Sequence, residues 1–141
     1  MISVFESIEI YNLFHILNKA NVNYMLLRNI NNELPDNLSK DKDIDIIVNK
    51  LSIDTMHKAL LLSGWKSIVH PFASVPYLYG MTKFRFYDFN GLHIDICCEL
   101  SCRSLNKGEW FPLNQKIQDE IWKNKLNVSN QPWKYKLSQE H

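Results

Sequence analysis

The tightest constraint on the fold is local. "FRFYDFNGLHIDICC", Phe84 to Cys98, holds two β-forming runs on either side of Asn90-Gly91. Asn-Gly is the pair best suited to the two left-handed conformations of a type I′ turn, whose twist matches that of the strands it joins. The stretch therefore predicts a β-hairpin. A lone hairpin in water is marginal and needs more strands, or a helix over one face. With 141 residues, 45% of them hydrophobic, the chain can supply both within one domain, residues 1–141.

The remaining elements follow from periodicity and punctuation. Ser3 to Lys19 reads as an amphipathic helix, with Val4, Ile8, Tyr11, Phe14 or His15, and Asn18 at helical spacing. "VNYMLLR", Val22 to Arg28, is a short apolar strand. Asn29 to Lys42 is polar and contains Pro35, which predicts a loop with one helical turn. Asp43 to Val48 is the second strand. A helix over Ile53 to Leu62 is bracketed by Ser52 as N-cap and Gly64 as stop. Trp65 to His70 is a strand closed by Pro71, and "LNQKIQDEIWKN" is a further amphipathic helix. "WKYKLSQEH" reads as a strand and the first turn of a helix, an ending expected of a truncated C-terminal extension. The expected class is α+β, a two-layer arrangement of a mixed sheet with helices packed on one face.

"KDKDIDIIVNK", Lys40 to Lys50, opens a strand on acids, although an unpartnered carboxylate is costly to bury. Alternate residues of a strand share a face, so Asp43 and Asp45 project together, about 7 Å apart, while Ile44 and Ile46 enter the core. "HIDI" repeats the pattern at Asp95. If the two strands are neighbours, three carboxylates converge on one face. Like charges held together repel unless a cation lies between them, and magnesium or manganese suits a few hard oxygens with room left for phosphate. Across the hairpin His93 should pair with Asp88 on the face of Asp95, with Lys83 and Arg85 on the other. "HPFASVPYLYG", His70 to Gly80, is an aromatic loop able to stack a ring or cover a sheet edge.

Other classes are set aside by composition. A formal net charge of +1 gives no general attraction to nucleic acid or anionic membrane, and no apolar run is long enough to span a bilayer. The start carries acids and no basic leader. Cys97, Cys98 and Cys102 are an odd, clustered set, which fits free thiols and a cytoplasmic location. Adjacent cysteines on a strand face opposite ways, so packing is expected rather than zinc. A calcium loop counted from Asp41 would need glycine and glutamate where Ile46 and Ser52 stand.

The order "YMLLRN", spacer, "DIDI", "HIDI" resembles the nucleotidyltransferase superfamily of the DNA polymerase β fold, in particular its small bacterial members. The resemblance covers roughly residues 22–98. It implies a minimal nucleotidyltransferase fold, with Asp43, Asp45 and Asp95 as metal ligands and catalytic residues. It also implies a nucleoside triphosphate donor, ATP first among them, an unidentified hydroxyl-bearing acceptor (small molecule, sugar, protein or RNA end), and pyrophosphate as product. The family's turn after the first strand is Gly followed by Gly or Ser; this chain has Arg28-Asn29 there. Arg28, Asn29, Ser39 and Lys40 are the candidates to hold phosphates. Two other functions use the same residues: a noncatalytic module that keeps the fold, and a glycosyltransferase whose "DxD" holds manganese and a nucleotide-sugar.

Overall fold

The structure is a computed structural model that describes residues 3–68, 77–78, 85–103 and 109–138. Its helices are α1 (Ser7–Lys19), α2 (Ile53–Leu62) and α3 (Gln115–Lys123). Its strands are β1 (Tyr24–Leu26), β2 (Ile44–Val48), β3 (Lys66–Ile68), β4 (Tyr77–Leu78), β5 (Arg85–Phe89), β6 (Leu92–Cys97), β7 (Ser101–Arg103), β8 (Glu109–Pro112), β9 (Leu126–Asn127) and β10 (Tyr135–Lys136). Seven strands form a mixed sheet in the order β3-β5-β6-β2-β1-β10-β9, and β4-β8-β7 form a second, small sheet. The class is α+β, as the alternation of strand and helix signals predicts.

The hairpin forms as expected: Asn90 and Gly91 take φ of 49° and 91°, and Asp88 Oδ1 accepts a hydrogen bond from the Gly91 amide. β6 then lies parallel to β2 with Asp45 opposite Asp95, Ile44 opposite Ile94 and Ile46 opposite Ile96. β1 runs antiparallel on the other side of β2. The two acid-bearing strands are therefore neighbours in the middle of the sheet.

α1 does not bury the stripe its sequence first offers. Ile10, Leu13, Phe14 and Leu17 enter the core, while Val4, Ile8 and Tyr11 are exposed. The buried set keeps the i, i+3, i+4, i+7 spacing with large aliphatic and aromatic side chains; the other stripe runs on into His15 and Asn18. Asn18 instead braces the end of the chain, donating to the Pro132 carbonyl and accepting from the Tyr24 hydroxyl at 2.7 Å.

α1 and α2 cover the face carrying Ile44, Ile46, Ile94 and Ile96. α3 covers the other face, where Ile121 packs on Met25 and Ile47, so helices packed on a single face are not what forms. The reason is in β2: Ile47 and Val48 are both fully buried, so both faces of its second half need a cover. Asn114 caps α3 through the Ile117 amide, whereas Ser52, at the start of α2, accepts from the Asn23 amide. Cys97 and Cys98 lie on opposite faces, and burial pushes the Cys97 thiol up to about 12. His70, Lys83 and most of the aromatic loop lie outside the described residues, as do the side chain of Cys102 and the last three positions.

The Tyr24 hydroxyl also accepts from the Lys134 amide at 2.8 Å, inside a fully buried residue. Tyr24→Phe keeps the ring but leaves the Lys134 amide and Asn18 Oδ1 without that partner. We expect a loss of about 1–3 kcal/mol, read from chemical denaturation, with the slope of the transition unchanged.

Candidate functional site

The acids sit where three strands meet a loop. Asp43 stands one residue before β2, and Asp45 and Asp95 share a register in β2 and β6. Alternation places all three on the face opposite Ile44 and Ile46. On that face the acid row gives way, one step along the strands, to Ile47 and Cys97 beneath α3. The helix therefore covers the apolar part of the face and leaves the acids at its margin, where their side chains are half-buried.

Confinement changes their protonation. Burial, then the charges of Asp43 and Asp45, raise the Asp95 carboxyl from its ordinary 3.8 to about 7. Burial also raises Asp45; Arg28 opposes that shift and Asp43 adds to it. Asp95 Oδ1 is buried with no hydrogen-bond partner. A buried carboxylate oxygen without a donor is the state a cation relieves.

His93 faces the same cluster. Its Nε2 is 3.0 Å from Asp88 Oδ1 and its Nδ1 is 3.9 Å from Asp43 Oδ1, so three adjacent strands are laced by Asp88, His93 and Asp43. The pairing expected across the Asn-Gly turn thus forms and reaches one strand further. Arg85 lies on the other face, where its side chain bonds the Tyr87 hydroxyl, which also lies 2.7 Å from His57 Nδ1.

The phosphate candidates separate into two groups. Arg28 and Asn29 line a shallow cleft with Asp43 and Asp45, and the Arg28 Nε lies 3.9 Å from Asp45 Oδ2. The Asn29 side chain is turned back on its own loop, accepting from the Leu34 amide at 2.9 Å and donating to the Leu34 carbonyl. Ser39 and Lys40 do not line this cleft. The Ser39 hydroxyl donates to the Asp41 carboxylate, a β-bridge ties Ser39 to Val4, and the Lys40 ammonium lies over the Phe5 ring. The loop presents Lys42 instead, held by Glu33 at 2.7 Å. Its signal was its place directly before Asp43, where the backbone turns from loop into strand.

The donor set is all hard oxygen, suited to magnesium or manganese. Among the described residues, no group of three or more His, Cys, Asp or Glu side chains stands ready-made to hold a metal ion. The three aspartates share a face but would have to draw together around a cation. No protein-family model matches the chain, and neither does any curated protein. Among the described residues, no helix is long and apolar enough to cross a membrane.

Proposed function

We propose that the protein is a metal-dependent nucleotidyltransferase that moves a nucleoside monophosphate from a triphosphate, ATP first among them, to a hydroxyl acceptor. The observation that carries this reading is the in-register pairing of Asp45 with Asp95, which brings a buried, unpartnered carboxylate oxygen beside two more acids. Asp43, Asp45 and Asp95 would hold the divalent ions. Bound there, such ions lower the charge on the triphosphate and favour the ionised acceptor hydroxyl. Asp95, in register with Asp45 on the same face, would be the carboxylate at hand to help take the acceptor proton. The acceptor oxygen then bonds to the α-phosphorus as the bond to the β-phosphate bridging oxygen breaks, and pyrophosphate leaves. Arg28 is the cation at hand for its oxygens, with Lys42 beside it in its pair with Glu33.

Titrating magnesium with each nucleoside triphosphate into the wild type and Asp45→Asn tests the reading. We expect metal-dependent nucleotide binding that the substitution removes, a loss on the order of 100-fold or more. Equal binding by both proteins would sink it, and binding of nucleotide-sugars alone would favour a glycosyltransferase instead. A noncatalytic binding module is the second reading, favoured by one observation: Arg28 already faces Asp45, where a cation would sit. Nucleotide binding that ignores metal would select it. The small-molecule, sugar, protein or RNA acceptor is to be found by a substrate screen.

A further inference from the structure

We infer that Arg28 is a built-in stand-in for the cation at Asp45, and that it transfers to the nucleotide's phosphates when metal and nucleotide bind together. This rests on the reading of the site just given.

The backbone sets the arrangement. The Leu27 amide donates to the Asp45 carbonyl at 3.0 Å, so the residue after it emerges beside the Asp45 side chain as β1 ends. Asn29, next in line, is pinned to Leu34, which fixes the backbone at the root of the Arg28 side chain. Among the described residues, the charged groups that line the cleft are Arg28, Glu33, Lys42, Asp43 and Asp45. Lys42 is committed to Glu33 by a short ion pair, so among these residues Arg28 is the cation that faces Asp45.

The pair has the character of a placeholder rather than a lock. It is 3.9 Å long, and the Arg28 side chain is 70% exposed, so solvent screens it and little is lost when it opens. A divalent ion at Asp45 both competes for the carboxylate and repels the guanidinium. The planar fork that loses the carboxylate matches a phosphate equally well. Metal alone therefore binds against Arg28, whereas nucleotide gives Arg28 another partner. By linkage each ligand then raises the affinity of the other. In this chain, Arg28 in the turn after the first strand makes metal and nucleotide binding cooperative.

Magnesium alone, ATP alone and magnesium with ATP, titrated calorimetrically into the wild type, Arg28→Ala and Arg28→Lys, test the inference without reading activity. Melting curves check that the exposed substitutions leave the fold intact. Arg28→Ala is expected to bind magnesium alone about two- to fivefold more tightly, the range of a screened surface pair. It is expected to bind magnesium with ATP about tenfold or more weakly, as a lost charge-assisted contact requires. Arg28→Lys falls between, keeping the charge and losing the fork. Magnesium affinity that Arg28→Ala leaves unchanged or weakens overturns the inference alone, because the metal site then stands. Magnesium binding by none of the three overturns the site reading and the inference with it.

Discussion

The metal-free protein is expected to lose stability as pH rises from about 4 to about 7, and Asp95→Asn to remove most of that dependence. Asp95 has its carboxyl raised from 3.8 to about 7 in the folded chain. Below 3.8 the group is protonated in both states and contributes nothing. Between 3.8 and 7 the unfolded chain ionises while the folded one keeps its proton, so the folded state binds more protons and stability falls with pH. Above 7 the full penalty is in place. Discounted for the solvent that reaches this half-buried side chain, it is on the order of 1–2 kcal/mol. Asp45 is also raised, so its contribution has the same sign. Melting temperatures in chelator at pH 4.5 and pH 8 read the effect. A wild-type profile as flat as that of Asp95→Asn would show that the acids do not constrain one another in the free protein.

Ile46→Ala is expected to destabilise the fold by about 2–5 kcal/mol, the range for emptying a fully buried aliphatic site. Ile46 is 0% exposed at the centre of the sheet, flanked by Leu26 on one strand and Ile96 on the other. It lies mid-strand with a paired neighbour on either side, so the upper half of the range is expected. Urea unfolding measures it. A loss below about 1 kcal/mol would mean that the sheet repacks around the cavity, and that the isoleucines do not anchor the acids between them.

Much of this architecture is legible in the chain because it is locally encoded. The Asn-Gly turn, the amphipathic pattern of the third helix and the alternation of aspartate with isoleucine each carry their structure within a few residues. The adjacency of Asp45 and Asp95 was only made available by the pattern. It became definite once β6 paired with β2, a contact between distant parts of the chain. What the sequence left unread is tertiary in origin. Two apolar stripes compete on α1, and which is buried depends on what α2 and the sheet present. The third helix goes to the acid-bearing face because Ile47 and Met25 need cover there. Likewise Ser39 and Lys40 carry the chemistry of phosphate ligands, but the bridge to Val4 draws them to the N-terminal segment and brings Lys42 into the cleft.

The parallel pairing of β2 with β6 has a bearing on how the site comes into being. Parallel neighbours cannot be joined by a tight turn, and here α2, β3, β4 and β5 intervene between them. The half-site on β2 and the half-site on β6 therefore meet only after a long crossover has closed, a step whose chain entropy must be overcome before any contact rewards it. A nascent or partly unfolded chain has scattered single carboxylates and no shared face. The shared carboxylate face is thus a property of the finished sheet, and the acids, which resist being brought together, are placed side by side only once the fold has already committed them to one another.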